Sequence, residues 1–403
     1  MDLHGKALYL SYDGLTDPLG QAQILPYLLG LEQQGMGFVI ISFEKKEAFS
    51  AHKQHVQKQL EGRDIQWIPL SYTKKPAVFS TVYDLWRMKR AARKTLTTAH
   101  TIIHCRSYLP MLVAMSINQG RKVIFDMRGL WADERINGNL WPQHKPLYRW
   151  IYRYFLRKEL VFIQQCDALV SLTHDGVKAL SERYGSGIIE NKSTVIPCCV
   201  DSELFQPETP QLNLKNSLGI PKEAKVLIHV GSVGTWYRLD QELVFFNALS
   251  AIDSSWCFLI LTKDTAAARA IVNSNLTLSS RVIIHSAAHH EVPSFLNLAQ
   301  ASIQFIEPAY SKRASSPVKL GESLAMGVPV ITNVGIGDSQ ALIQEGSAGI
   351  CINSWDDIPS SVMDFQRMRF DSNAIRTYAI RTLGLEQGIN AYQQVYKKML
   401  SHD

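Results

Sequence analysis

Short runs rich in Val, Ile and Leu recur along the chain, with longer stretches of helical periodicity between them. In the first half these runs predict strands at 7–11, 38–42, 65–69, 101–105, 122–126, 168–172 and 194–197. Apolar positions at helical spacing cover 21–34 and 82–98. Continuously apolar strands separated by helices predict a parallel sheet covered on both faces. The rhythm breaks at 201–224, a polar stretch with Pro207, Pro210 and Pro221 and no strand pattern, which reads as a domain boundary. It resumes with strands at 225–230, 257–261, 282–284, 302–306, 328–332 and 349–351. Helices at 373–382 and 385–400 close the chain, and the last is expected to pack on the first domain. The pattern thus predicts two doubly wound α/β domains, residues 1–200 with 385–403, and residues 201–384. Ligands of such sheets bind beyond the carboxyl ends of the strands, which two domains can turn toward one cleft.

Composition narrows the class without changing that picture. The chain has 403 residues, 46% of them hydrophobic and 19% charged, so it is neither disordered nor fibrous. No apolar run approaches the roughly 18 residues a spanning helix needs. The apolar stretch 7–12 is too short for a signal-peptide core and lacks a cleavage site, so a cytoplasmic location is expected. Six scattered cysteines without a CxxC pair predict reduced thiols, not a zinc site or a disulfide framework. The net charge of +6 is uneven: residues 1–200 hold 26 Lys and Arg against 17 Asp and Glu, and the rest hold 16 against 19. A basic half suggests a face that meets something anionic.

Three stretches could carry chemistry. In SSPVKLGESLAMGVPV, 315–330, Ser316 suits a helix cap, Pro317 the first helical position, and Gly327 a left-handed stop. The free amides of such a helix start make an anion site suited to phosphates, formed by the stretch Ser316, Pro317 and Val318, and Lys319 adds charge within the first turn. Glu322, one turn along, can accept from sugar or ribose hydroxyls. In HVGSVGTWYR, 229–238, Gly231, Ser232 and Gly234 let a ligand approach the backbone, and Arg238 could clamp a diphosphate. In DGLTDPLGQ, 13–21, Gly20 could allow close ligand contact. Neither the dinucleotide fingerprint nor the P-loop pattern occurs in these loops, which removes the main support for NAD or ATP hydrolysis.

Together these residues resemble the retaining glycosyltransferases of the GT-B fold, family 4. The resemblance rests on SYDGLTDPLGQAQILPYL (11–28), IPCCVDSELFQP (196–207), HVGSVGTWY (229–237) and SPVKLGESLAMGVPVI (316–331), which span nearly the whole chain in order. It implies two Rossmann-like domains and a nucleotide-sugar donor held by the second. Glu322 would take the ribose hydroxyls, the helix start from Ser316 to Lys319 the diphosphate, and Arg238 its charge. The acceptor, a saccharide or lipid-linked saccharide, would sit on the first domain. The family often places an acid eight positions before the ribose glutamate, where this chain has Ala314; Glu307 is the nearest acid upstream. It often has a histidine after the fifth strand, where this chain offers Asp126 or Arg128.

Further acceptor candidates are Arg106, at a strand end beside His104 and Cys105, and Asp133 and Glu134, which could instead pair with Arg135. KPLYRWIYRYFLRK (145–158) and WRMKRAARK (86–94) combine aromatic and basic residues as interfacial helices do, which suggests attachment to an anionic membrane surface. No signature of nucleic-acid binding accompanies the charge. No HxE, HExxH or DxD string stands out, so neither a metal nor a cofactor is expected. The expectation is sugar transfer in bacterial surface polysaccharide assembly. The alternatives are a nucleotide-sugar epimerase of the same fold and a non-catalytic binding protein.

Overall fold

A computed structural model describes residues 3–76, 78–208, 212–274 and 281–401. Residues 209–211 of the proline-rich segment, with Pro210, and residues 402–403 lie outside the described residues. The chain forms two compact units, one from residues up to Pro197 together with those from Leu385 onward, the other Cys198–Gly384.

The first unit contains strands β1 (Gly5–Ser11), β2 (Met36–Glu44), β3 (Ile65–Ser71), β4 (His100–Arg106), β5 (Lys122–Asp126), β6 (Ala168–Ser171) and β7 (Ser193–Val195). They make one sheet in the order β3-β2-β1-β4-β5-β6-β7, with every pair parallel. The second unit contains β8 (Lys225–Val230), β9 (Trp256–Leu261), β10 (Val282–His285), β11 (Ala301–Gln304), β12 (Val330–Asn333) and β13 (Gly349–Ile352). Their order is β10-β9-β8-β11-β12-β13, again all parallel. Each sheet reverses strand order beside its first strand, the topology that leaves a ligand-binding crevice at the carboxyl edge. Strand β8 shows why the apolar runs are continuous. Val226, Ile228 and Val230 enter the core on one side of the sheet and Leu227 the core on the other.

The helices depart from the sequence pattern in two places. The expected helix 21–34 is broken at Ile24 into Pro18–Gln23 and Leu25–Gln33. Pro26 lies in the first turn of the second piece, where its missing N–H costs nothing, and it bars a continuous helix through that point. The expected helix 82–98 runs instead over Phe79–Thr95. The closing helix, Leu385–Leu400, is part of the first unit. The Tyr392 hydroxyl donates to Asp126 Oδ2 at 2.8 Å, and the Tyr396 hydroxyl lies 2.7 Å from His104 Nδ1. The Tyr392 ring also meets Tyr27 edge-on.

Among the described residues no helix is long and apolar enough to cross a membrane. None of the six cysteines forms a disulfide. Two helices of the first unit nevertheless leave apolar surface in water. On Phe79–Thr95, Phe79, Val82, Tyr83 and Trp86 are exposed, Phe79 to 75%. On Pro146–Gln165, Ile151 and Phe155 enter the core while Leu147 and Trp150 point outward, so the apolar residues of this helix divide between core and solvent.

Candidate active site

In the second unit, β11 leads through a short turn at Tyr310–Ala314 to the helix Val318–Ala325. Pro317, not Ser316, holds the cap position, and the helix begins at Val318. The Ser316 hydroxyl is turned aside and accepts from the Cys198 N–H at 3.1 Å, which fastens the chain entering this unit to the helix start. The amides of the first turn have no acceptor within the helix. Gly327 ends the segment at φ +70 as expected, and a side-chain carbon there would lie 2.6 Å from the Ser372 carbonyl oxygen. Ala314 is fully buried and brings no functional group.

Glu322 is only 2% exposed, yet it is ionised. Burial alone would raise its pKa, but His289 Nε2 at 2.8 Å and Lys319 Nζ at 2.9 Å outweigh that and lower it. The result is a carboxylate with one oxygen on His289 and the other on Lys319. A ligand hydroxyl can take the place of either, because both side chains are partly exposed. His289 was not anticipated from the sequence. It opens the short turn His289–Glu291 just after β10, and only the sheet order brings it to Glu322.

The glycine loop follows β8. Gly231 and Gly234 adopt φ +145 and +87, and Thr235 joins them at +54. Only glycine reaches such angles without cost, and this explains both glycines. A side-chain carbon at Gly234 would meet nothing within 4 Å, so the loop presents an open face, with Ser232 partly exposed. Arg238 differs from its expected role as a bare phosphate clamp. Its Nε and Nη2 grip Asp240 at 2.9 and 2.7 Å, its Nη1 bonds Glu307, and its plane lies over Trp355. Asp240 sits in the first turn of the helix Leu239–Ile252, where a carboxylate is favoured, and it occupies the guanidinium fork. Lys312, unforeseen, is buried with its ammonium 3.9 Å from the Trp236 ring centroid.

In the first unit the loop after β1 is organised by Glu44, a residue the sequence did not single out. Its buried carboxylate accepts from the amides of Leu15 and Thr16 at 2.9 and 3.0 Å and from the Thr16 hydroxyl. Gly20 is required by the chain itself. A carbon there would fall 1.9 Å from the Gly14 carbonyl oxygen, so the close approach predicted for a ligand is made by backbone.

Arg106, Asp126 and Arg128 do converge, at the carboxyl ends of β4 and β5. Asp126, 1% exposed, has Arg106 Nη1 at 3.9 Å, Arg128 Nη1 at 3.8 Å and His104 Nε2 at 3.5 Å. Burial would raise its pKa, but Arg128, His104 and Arg106 reverse this and lower it to about 2. Arg106 also reaches Asp13 at 3.4 Å. Arg106 and Asp126 therefore satisfy each other inside the unit, while Arg128 holds φ +57 at the strand exit, an uncommon backbone for a side chain. Asp133 is not paired with Arg135. It takes two bonds from Arg183 and one from the Tyr152 hydroxyl, in a network that includes buried Glu159, so it braces two helices. Glu134 lies on the helix Trp131–Asn137, partly exposed.

Two parallel-sheet α/β units of this strand order make up the GT-B fold. The family model for Glycosyltransferase Family 4 matches residues 28–204, and that for Glycosyl transferases group 1 matches residues 224–364. The chain belongs to this glycosyltransferase family. Among solved structures it is similar to a glycosyltransferase from Rickettsia africae ESF-5, at 15% identity over all of both chains and a TM-score of 0.70. It is similar to HepE of Anabaena, solved with UDP and glucose, at 13% identity over 99% of this chain and all of that one, TM-score 0.68. It is also similar to sucrose-phosphate synthase from Thermosynechococcus elongatus, at 14% identity, the same coverage and a TM-score of 0.71. At such identities the likeness is one of fold. No curated protein matches the chain by sequence.

Proposed function

We propose that this glycosyltransferase takes its sugar from a nucleotide-sugar donor held by the second unit and passes it, with retention, to a saccharide or lipid-linked saccharide, in surface polysaccharide assembly. The observation that carries the donor reading is Glu322, a buried carboxylate kept ionised by His289 and Lys319 one turn inside an open helix start. A ribose diol is a suitable partner for such a group, since two vicinal hydroxyls donate to its two oxygens. The diphosphate then falls to the amides at Val318 and Lys319 and to the glycine loop. Lys319 and these amides stabilise the charge that builds on the leaving diphosphate, so no metal ion is required. The acceptor hydroxyl attacks from the leaving-group face and passes its proton to a donor phosphate oxygen. HepE, of the same fold, was solved with UDP and glucose, which agrees with this reading.

Thermal-shift and calorimetric titration with UDP-, GDP- and ADP-sugars tests it. One of them is expected to stabilise the protein, and Glu322→Ala to weaken that affinity roughly 30-fold, the scale of one charged hydrogen-bond site. Wild-type affinity in Glu322→Ala would contradict the assignment.

The acceptor side is proposed for the first unit, at Arg128 and the loop after β1. The same unit supplies the membrane-facing surface. Phe79, Val82, Tyr83 and Trp86 form an exposed stripe that continues into Arg90 and Arg93 on the same helix. Tyr83 and Trp86 stack at 6.0 Å, and the Arg90 guanidinium lies 5.7 Å from the Trp86 ring centroid. An aromatic stripe edged with arginine suits a bilayer interface with anionic headgroups, each basic residue contributing ~1 kcal/mol. Flotation with phosphatidylglycerol-containing vesicles at low salt is expected to carry the protein. Phe79→Ser with Trp86→Ser, or Arg90→Glu with Arg93→Glu, is expected to abolish it. Undiminished flotation of both double variants would remove this surface from the account.

A further inference from the structure

Beneath the glycine loop lies a buried ionic pair that the reading above does not use. His229 is the penultimate residue of β8, on the same side of the sheet as Leu227, and is fully buried. Glu242, in the helix Leu239–Ile252, is fully buried too, and its Oε2 lies 2.8 Å from His229 Nδ1. Two buried ionisable groups are costly unless each neutralises the other, so the pair needs a reason to be there. Its connections supply one. Glu242 Oε1 accepts from the Phe305 amide at 2.9 Å, at the exit of β11. That exit bonds the far end of the glycine loop twice, Arg238 N to the Phe305 carbonyl and Glu307 N to the Trp236 carbonyl, at 2.9 and 2.7 Å. At the near end, His229 Nε2 faces Gly231: a side-chain carbon on that glycine would sit 4.0 Å from it. The pair is therefore bonded to the strand exit that holds the far end of the loop and lies against its near end, while the stretch between them stays open.

We propose that His229 and Glu242 are positioning residues of the donor loop: the imidazolium, held by Glu242, fixes residues 231–238 and sets a positive charge under the place where a sugar nucleotide's diphosphate rests. This inference rests on the donor reading given above. The groups facing His229 agree with a charged ring. Glu242 and Tyr237, whose ring stands edge-on at 6.3 Å, are the titratable neighbours, and the paired position on β9 is Ile260. Burial lowers the histidine pKa, but the Glu242 charge and the loop backbone at Ser232 and Gly231 reverse this and raise it. With its pKa raised, the ring gives up its proton only as pH climbs above the ordinary value of about 6.5. Inside the protein such a charge is screened far less than at the surface.

The experiment uses the full-length protein with UDP-glucose, GDP-mannose and ADP-glucose as probes. Their diphosphate diesters carry no group that titrates between about pH 6 and 9. Affinity for the preferred probe is expected to fall roughly tenfold across that range, as expected for loss of one buried charge, while affinity for the matching free nucleoside stays flat. His229→Gln, which keeps a donor but no charge, is expected to lose most of the slope and bind weakly throughout. Glu242→Gln is expected to shift the midpoint of the wild-type profile to lower pH, a change that mere loosening of the fold would not produce. A flat wild-type profile overturns the inference without any variant, whatever the variants' stability. If the wild type binds, Glu322→Ala weakens binding, and both pair variants match wild type at every pH, this inference alone falls. If no probe binds the wild type, the donor reading falls and takes the inference with it.

Discussion

Glu322 and Asp126 are both buried carboxylates held ionised by cations, and they do opposite things. The partners of Glu322, His289 and Lys319, are partly open, so the group can exchange a protein partner for a ligand hydroxyl. Asp126 is closed in by Tyr392, His104 and two arginines, so it knits the closing helix to the first sheet. Its pKa of about 2, against an ordinary 3.8, has a definite consequence. A depressed carboxyl pKa stabilises the fold above the unfolded value, and that contribution fades as pH falls through the folded one. Asp126→Asn is expected to cost about 2 kcal/mol at neutral pH. The deficit should shrink between pH 3.8 and about 2, as followed by urea denaturation of both proteins. A deficit that is the same at every pH would mean that shape, not charge, is what Asp126 supplies. At this scale the sequence was legible for Glu322 and Lys319, whose helix start is written in contiguous residues. It was silent on His289 and Glu44, which reach their partners only through sheet order, and on the hold that Asp240 and the remote Glu307 have on Arg238.

The elements were legible where apolar runs were continuous. Each of the thirteen strand positions is occupied, and strands buried along their whole length, such as β2 and β9, show the clearest apolar runs. Helix ends were less so: the break at Ile24 and the start at Phe79 depend on packing and on Pro26. Gly20 illustrates the limit. A glycine in a loop before a helix looks the same whether a ligand or the chain's own backbone comes close, and only the 1.9 Å approach to the Gly14 oxygen decides. Gly20→Ala is accordingly expected to destabilise the first unit by about 1–3 kcal/mol, an overpacking cost. Sugar-nucleotide affinity of the folded protein should stay unchanged. Lost affinity at unchanged melting temperature would return Gly20 to the ligand.

Across the whole molecule, charge and chemistry are divided between the two units. The basic half carries the exposed aromatic and arginine stripe, and the mildly acidic half carries the glycine loop and the ionised glutamate. Net negative charge in the second half is no obstacle to the proposed diphosphate, since Lys319 and oriented amides act at short range. The account stands or falls on where a sugar nucleotide binds. A crystal structure with the probe that most stabilises the protein tests this most directly. The predicted result is a ribose diol on Glu322, displacing His289 or Lys319, with the diphosphate within hydrogen-bond reach of the amides at Val318 and Lys319. A nucleotide bound elsewhere, with Glu322 still locked between His289 and Lys319, would contradict it.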